Sequence, residues 1–218
     1  AMVDYVNQQR RDHIITIEDP IEFVHQNNKC LINQREVLTN TDSFQKALRA
    51  ALRQDPDIIL VGELRDLETT EIAIETAETG HLVFGTLHTS TAASTVDRII
   101  DQFPVEGQAQ IRTMLASSLK GVVCQNLLKR IDKGRVAAME ILVVNMAVAS
   151  NIRDGKTYQI PSSIQTGKRL GMQLLNSHLI ELVKNKIVAP EEAYLKAVDK
   201  DDIIAKLRAA GFSVPVEE

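Results

Sequence analysis

The sequence predicts an α/β fold with a mostly parallel sheet, and two observations carry this prediction. The run DPDIILVGELRD holds consecutive apolar residues from Ile58 to Val61 between a proline and a glycine, which is typical of a strand buried on both faces. Strand-like and helix-like segments alternate around it through the first hundred residues or so. This alternation requires crossover connections, and such connections produce parallel sheets.

The segments before the central strand are assigned from their apolar spacing. Residues 1–9 have the pattern of the end of a helix, because no capping residue precedes them. Residues 13–20, HIITIEDP, form a β-branched strand that ends at its proline. Residues 27–40 are polar and irregular, and we interpret them as a short hairpin. Asp42 or Ser43 then caps the helix SFQKALRAALRQ.

The pattern continues after the central strand and changes after Pro104. The helix LETTEIAIETAET ends at Gly80, and the strand HLVFGTLHT and the helix TAASTVDRIIDQF follow. A helix is predicted over residues 108–119. The segments VVCQNLLKRI and RVAAMEILVV flank the turn DKG, so we expect a hairpin that extends the sheet at an antiparallel edge.

The last third of the chain is predicted to be mostly helical. We therefore divide the chain into an α/β core, residues 1–144, and a helical subdomain, residues 145–218. The predicted helices of this subdomain are Met146–Arg153, Leu174–Lys186, Pro190–Ala197 and Asp201–Ala210.

Composition limits the classes of function. Of the 218 residues, 44% are apolar and 25% are charged, as in proteins that bury a core. The net charge of −4 gives no basic footprint for nucleic acid or an anionic membrane. No apolar run approaches the ~18 residues of a transmembrane helix. Cys30 and Cys124 form no zinc motif, so we expect two reduced thiols and no metal centre built on cysteine.

The chain contains no recognisable phosphate loop of the form G-x-x-x-x-G-K-[ST]. The one Gly-Lys-Thr sequence is Gly155-Lys156-Thr157, and the position five residues before its glycine is Ser150 rather than glycine. It also follows a predicted helix, whereas a phosphate loop follows a buried strand. We interpret it as a turn.

Acidic residues collect at the ends of two predicted strands. Glu18, Asp19 and Glu22 lie in ITIEDPIEF, where carboxylates suit the handling of water or a metal ion. Glu63 follows the central strand, where an acid can orient a water molecule towards a phosphoryl group. The alternatives are a solvated loop for the first group and a carboxylate that simply leaves the core for Glu63.

Histidines and arginines form the remaining candidate groups. His81 and His88 are seven residues apart, so on an unbroken strand they face opposite sides, which argues against a shared metal site. His88 at the carboxyl end suits contact with a γ-phosphate, and His81 has a structural alternative. Arg49 and Arg53 share one helix face and suit phosphate oxygens. The alternative for these arginines is a solvated face that pairs with nearby aspartates.

Taken in order, these clusters resemble the secretion ATPases, the hexameric motors of type IV pili and type II secretion. ITIEDPIEF resembles their Asp box, DPDIILVGELRD their Walker B segment and GHLVFGTLHT their His box. The similarity extends through nearly the whole chain and is closest to the PilT-type pilus retraction ATPases.

This resemblance implies a fold and explains the missing loop. The phosphate loop of the family lies immediately upstream of the segment with which this sequence starts. The expectation is a RecA-like P-loop NTPase core truncated at its N-terminus, with a C-terminal helical subdomain and without the family's N-terminal PAS-like domain. The polypeptide alone is then expected to be inactive, whereas the intact protein is expected to be an ATPase.

The resemblance also implies ATP and Mg²⁺ as ligands and gives the acidic residues their roles. Glu63 resembles the Walker B glutamate that polarises the attacking water. Glu22 resembles an Asp-box glutamate that hydrolysis requires. Glu18 and Asp19 are expected to support water and magnesium.

The basic residues receive roles from the same resemblance. His88, together with His81, is expected to sense the γ-phosphate and to pass its state to the subunit interface. Arg49 and Arg53 are expected to contact nucleotide or a neighbouring subunit.

Two details bear on the branch of the family. Extension and type II secretion ATPases usually carry a four-cysteine zinc insertion, and this chain reads LLKRIDKGRVAAMEIL with no cysteine there. The family's retraction signature, AIRNLIRE, corresponds here to AVASNIRD, which matches it at Ala147, Ile152 and Arg153.

The expected assembly is a homo-hexamer in the cytoplasm that works on an inner-membrane pilus platform protein at the base of the pilus machine. The alternatives are an accessory retraction paralogue, another secretion-type motor or a non-hydrolysing assembly module.

Overall fold

The computed structural model describes residues 1–213, and their contacts form two compact units. The first unit contains residues 1–88 and 99–119, and the second contains residues 89–98 and the chain from Lys120 onward. The helices are α1 (Met2–Gln9), α2 (Phe44–Ala51), α3 (Leu67–Glu78), α4 (Ala92–Ile100), α5 (Val105–Ser118), α6 (Met146–Arg153), α7 (Ile160–Thr166), α8 (Leu175–Lys184), α9 (Pro190–Lys196) and α10 (Lys200–Ala209). The strands are β1 (His13–Glu18), β2 (Leu31–Glu36), β3 (Ile58–Val61), β4 (Leu82–Gly85), β5 (Gly121–Lys129) and β6 (Arg135–Val143).

The first unit is built on a four-stranded sheet in the order β2-β1-β3-β4. All three strand pairs are parallel, so the α/β prediction is confirmed. The central strands are buried on both faces. Ile15 and Ile59 pack with α2 and α3 on one side, and Ile14 and Ile58 pack with α1 on the other. This two-sided burial explains the unbroken apolar runs in the sequence.

The predicted hairpin over residues 27–40 is wrong. The segment contains β2, which runs parallel to β1 with His13 opposite Leu31. β2 is an edge strand, and in its sequence LINQRE only Ile32 is buried, while Leu31 is 52% exposed. An edge strand with one buried apolar residue has no alternation strong enough to distinguish it from a loop.

The predicted extension of this sheet by a second hairpin is also wrong. β5 and β6 do form an antiparallel hairpin, but they make a separate two-stranded sheet. Leu128 and Ala138 of the hairpin are fully buried in one cluster with Leu179 of α8. The hairpin therefore packs on helices of the second unit, which begins its main segment at Lys120, whereas the predicted domain boundary falls after residue 144.

Helix starts agree well with the predicted caps. Ser43 caps α2 through its hydroxyl, which accepts a hydrogen bond from the Lys46 backbone N–H at 3.2 Å, while Asp42 pairs with the Lys46 ammonium at 2.6 Å. In the tail, α6 has the predicted bounds, and α8 to α10 differ by one or two residues at their ends. The helical turns between residues 157 and 170, including α7, were not predicted.

A buried carboxylate organises the second unit. Glu140 on β6 is 6% exposed, and its two oxygens accept hydrogen bonds from the backbone N–H groups of Ala92 at 2.8 Å and Leu175 at 3.3 Å. These are the first residues of α4 and α8. Glu140 thus satisfies two helix starts at once, which balances the cost of burying its charge.

Candidate active site at the carboxyl edge of the sheet

Glu63 is the centre of a three-residue cluster at the end of β3. Its Oε2 lies 2.6 Å from Arg65 Nε, and its Oε1 lies 3.2 Å from His88 Nε2. The Glu63 side chain is 19% exposed, whereas those of Arg65 and His88 are 61% and 79% exposed. A mostly buried acid is therefore held between two solvent-facing groups.

Gly62 brings Glu63 against the end of β1. Its N–H donates to the carbonyl of Ile17 at 2.7 Å. A Cβ at this position would lie 2.9 Å from that carbonyl oxygen and 3.1 Å from Glu18 Cα. Because both contacts are with backbone, no side chain fits here, and glycine is required for the close approach of the two strands.

The loop that carries His88 is tied to the loop after β3. The Thr86 hydroxyl donates to the carbonyl of Gly62, and the Thr86 carbonyl accepts from Leu64 N–H at 3.0 Å. Gly85 makes room for this pairing, because a Cβ there would lie 2.7 Å from a methyl of Leu64. These bonds explain why two residues 25 positions apart in the printed sequence, Glu63 and His88, meet.

Glu18 is the best-positioned member of the acidic group after β1. Its Oε1 accepts hydrogen bonds from the Thr16 hydroxyl at 2.6 Å and from Gln34 Nε2 at 3.0 Å. Asp19 and Glu22 are exposed in the following loop, and neither has a hydrogen bond or ion pair with another residue of the described chain. The sequence prediction thus separates into one fixed carboxylate and two that are available to solvent.

Glu36 was missed by sequence reasoning and supports this acidic loop. Its carboxylate accepts hydrogen bonds from Ile21 N–H at 3.0 Å and from the Thr39 hydroxyl at 2.8 Å. The backbone hydrogen bond from Ile21, followed by that from Thr39, lowers the pKa of Glu36. Its position at the end of β2 was the available signal, but β2 itself was not predicted.

The two predicted arginines are not in contact with this cluster. Arg49 Nη2 pairs with Glu68 Oε1 at 2.9 Å, which joins α2 to α3, and Arg53 is exposed with no such partner among residues 1–213. The arginine that contacts Glu63 is Arg65, which sequence reasoning did not select. The signal was its spacing, since residues two apart on an extended segment face the same side.

His81 lies at the other edge of the sheet, immediately before β4. Its Nδ1 is 3.1 Å from the Thr79 hydroxyl and 3.2 Å from the Thr76 carbonyl oxygen. The ring is therefore bonded to the end of α3, in line with the structural alternative. His88 follows β4, so the structure brings His88 to Glu63 and does not bring His81 there.

Asp66 fixes the start of α3 directly after the cluster. Its carboxylate accepts hydrogen bonds from Thr69 N–H at 2.9 Å, the Thr69 hydroxyl at 2.8 Å and Gln45 Nε2 at 2.9 Å. Burial acts to raise the pKa of Asp66, but the hydrogen bonds from Thr69 and Gln45 outweigh it and lower the pKa. The helix start is thereby held on a charged cap.

The acids at this edge fit Mg²⁺ held together with a nucleotide. Residues 1–213 contain no group of three or more histidine, cysteine or acidic side chains placed to hold a metal ion. Mg²⁺ usually keeps several waters and needs only one or two carboxylates besides the phosphates. Glu18, which is already oriented, and the solvent-facing Asp19 can supply these.

The Gly155-Lys156-Thr157 segment is a turn, as predicted. It follows the end of α6, Gly155 has a φ of 69°, and Thr157 is 8% exposed. The segment therefore follows a helix, whereas a phosphate loop follows a buried strand.

Comparison with known proteins identifies the family. A family model described as "Type II/IV secretion system protein" matches residues 1–192. The chain belongs to this family. The type IV pilus retraction ATPase PilT of Pseudomonas aeruginosa is 56% identical over 197 residues, which cover 90% of this chain and 57% of that protein. A twitching motility protein of Neisseria gonorrhoeae is 54% identical over 204 residues, covering 93% of this chain and 54% of that protein.

A solved structure supports the same family at the level of the fold. The crystal structure of the pilus retraction motor PilT with bound ADP has a TM-score of 0.86 at 49% identity, and the match covers 92% of this chain and 57% of that chain. The secretion-family chain thus spans little more than half the length of these relatives. None of the helices within residues 1–213 is long and apolar enough to cross a membrane.

Proposed function

We propose that the chain is the ATPase core of a motor that hydrolyses ATP to retract type IV pili and so drives twitching motility. The observation that carries this proposal is the contact of Glu63 with His88 at the carboxyl edge of a parallel sheet, which is the edge where α/β folds bind ligands. The names of the Pseudomonas aeruginosa and Neisseria gonorrhoeae relatives, a pilus retraction ATPase and a twitching motility protein, support this use of the chemistry.

Glu63 is the residue we assign to the attacking water. Its carboxylate is mostly buried and lies between the side chains of Arg65 and His88. From this position it can orient a water molecule and accept its proton as the water attacks the γ-phosphate. Phosphoryl transfer depends mainly on positioning and on charge stabilisation. Bound Mg²⁺ would supply part of that stabilisation at the phosphate oxygens.

The residues around Glu63 complete the assignment. Glu18, held by Thr16 and Gln34, and Asp19 are proposed to orient the waters of the magnesium shell. Glu22 is proposed as a second acid needed for hydrolysis, since its exposed carboxylate is available. His88 is proposed as the γ-phosphate sensor, because its ring contacts Glu63 directly and the rest of it faces solvent.

The proposed assembly follows the family. We propose a homo-hexamer in the cytoplasm, bound peripherally at the inner membrane through a pilus platform protein. Arg49 on the exposed face of α2 and Arg53 in the exposed turn that follows this helix are proposed to reach nucleotide or the neighbouring subunit in that hexamer.

The test is Glu63→Gln in the intact protein, with Glu71→Gln as the matched control on the exposed surface of α3. Removal of the base is expected to lower ATP turnover by about 100-fold or more while ATP binding is retained. Glu71→Gln is expected to keep wild-type turnover. In cells that lack the protein, the wild type and Glu71→Gln should restore twitching motility, and Glu63→Gln should not.

Two results would contradict the proposal. Turnover of the Glu63→Gln protein above about a tenth of wild type would remove Glu63 from this role. An intact wild-type protein that binds ATP but never hydrolyses it would instead favour a non-hydrolysing assembly module.

A further inference from the structure

The ion pair between Arg65 and Glu63 carries an inference beyond the proposed function, on which it rests. We propose that Arg65 is a phosphate-responsive latch on the catalytic glutamate. Its Nε holds Oε2 of Glu63 through a 2.6 Å contact. When ATP binds, its guanidinium exchanges Glu63 for the γ-phosphate and leaves the glutamate oxygen to the attacking water.

The local backbone explains why Arg65 pairs with Glu63 and not with its other acidic neighbour. The Leu64 side chain lies against Gly85, and the residues on either side of it in the sequence, Glu63 and Arg65, contact each other. Asp66 is next to Arg65 in sequence, but its carboxylate is occupied by Thr69 and Gln45 at the start of α3. Glu63 is therefore the acid left for Arg65.

The occupancy of Glu63 shows why the pair has to open. One oxygen of its carboxylate contacts Arg65 and the other contacts His88. A water molecule that donates a hydrogen bond to Glu63 competes with one of these two groups. Release of Arg65 gives such a water access to Oε2 while His88 keeps its contact with Oε1.

The properties of Arg65 allow this release. Its side chain is 61% exposed, and exposed ion pairs contribute little stability. Only Nε is used on Glu63, and no other residue of the described chain forms an ion pair or hydrogen bond with the guanidinium. The remaining N–H groups form the planar fork that matches two phosphate oxygens. A multiply charged phosphate is thus a stronger partner than the single carboxylate.

The experiment distinguishes the latch from a fixed brace, that is, an Arg65 that stays on residue 63 and never contacts the phosphate. It does so by removing the charge of Glu63 first. In the intact Glu63→Gln protein, hydrolysis is blocked, so the Kd values of Mg-ATP and Mg-ADP are measured at equilibrium by calorimetry. Arg65→Ala in this background is expected to reduce the preference for ATP over ADP by about tenfold or more, because a charge-assisted contact with the γ-phosphate is lost. Arg65→Lys should recover part of the preference, since it restores the charge without the fork.

The matched control is Arg130→Ala, which removes another arginine paired with an acid two residues away, here Asp132 at 2.8 Å. It should leave the ATP to ADP preference unchanged. If Arg65 is a brace that stays on residue 63, Arg65→Ala in the Glu63→Gln background should change the preference for ATP over ADP by less than twofold. That result would overturn the latch but not the proposed function. Failure of the Glu63→Gln protein to bind ATP with Arg65 intact would overturn the proposed function as well.

Discussion

At the amino edge of the four-stranded sheet, both ring nitrogens of His13 are engaged. Nδ1 lies 3.2 Å from the Asp55 carbonyl oxygen, and Nε2 lies 2.9 Å from Asn33 Nδ2. At the carboxyl edge, the ring of His88 has one contact among the described residues, with Glu63. Both ring nitrogens of His13 thus have polar partners at the amino edge, whereas one ring nitrogen of His88 does at the carboxyl edge.

The acids follow the same division. Asp57 at the amino edge accepts a hydrogen bond from His13 N–H at 2.8 Å and fixes the start of β1 against the start of β3. Asp19 and Glu22 beyond the carboxyl end of β1 remain exposed. Asp57 holds two strands together at the amino edge, whereas the carboxyl edge has exposed acids, Asp19 and Glu22, beside the engaged Glu18 and Glu63. Available polar groups beside fixed ones are what a ligand site requires.

The largest expected effect comes from His88→Ala in the intact protein. If His88 is the proposed γ-phosphate sensor, turnover should fall by about 100-fold, because the substitution removes its hydrogen-bond donor. The melting temperature should stay close to that of wild type, since the side chain is 79% exposed. Steady-state ATPase assays and thermal denaturation of the same preparation measure both quantities. A large fall in melting temperature with preserved turnover would mean that His88 is structural, as the polar groups of the amino edge are, and does not serve the reaction.

The next effect is on stability and comes from Gly62→Ala. The new Cβ would meet the backbone of β1 at 2.9 Å, so we expect a loss of about 1–3 kcal/mol in the free energy of unfolding. Gly107→Ala in α5 is the control, because nothing lies within 4 Å of the Cβ position there. In urea denaturation this control should gain about 0.5–1 kcal/mol. If the two substitutions had the same effect on the free energy of unfolding, the ends of β1 and β3 would have room for a methyl group at position 62, and glycine would not be required there.

The carboxyl edge could be predicted from the sequence largely because strand ends converge there. The runs that contain Ile58 and Leu82 are short, apolar and bounded by glycine or proline, so they predict parallel strands, and parallel strands bring Glu63 and His88 to one edge. The family resemblance then gave these residues roles. Neither step needs knowledge of side-chain contacts.

The parts that could not be predicted depend on tertiary context. β2 has one buried apolar residue, Ile32, so its pattern is that of a loop until β1 is placed beside it. Which arginine contacts Glu63 depends on which acids are already paired. Arg49 pairs with Glu68, and Asp66 is occupied by Thr69, so Arg65 is the arginine that contacts Glu63. The packing of the β5–β6 hairpin depends on α8, whose buried face meets Leu128. Periodicity contains none of this information.

A smaller effect, of about 1 kcal/mol, is expected for His81→Ala, and it tests the boundary between the two edges directly. The substitution removes contacts with Thr79 and the Thr76 carbonyl, so urea denaturation should show a loss near the net value of one hydrogen bond. A structural role predicts turnover within about twofold of wild type. A loss of turnover comparable to that of His88→Ala would instead place His81 in the nucleotide site, as the family resemblance implies.

An effect similar in size to that of His81→Ala is expected for Asp66→Ala, and it depends on pH. The pKa of Asp66 is lowered below its ordinary value of 3.8 in the folded protein, so its stabilising contribution is complete above that value and is lost as the pH falls through the folded pKa. At pH 7 the variant should lose about 1 kcal/mol of unfolding free energy, as for a helix cap. As the pH falls below 3.8 and through the folded pKa, the difference from wild type should shrink. Asp101→Ala, which removes an exposed carboxylate, should show no such pH dependence. A cap contribution that persisted unchanged into acid would mean that shape and packing, rather than charge, hold α3 at the carboxyl edge.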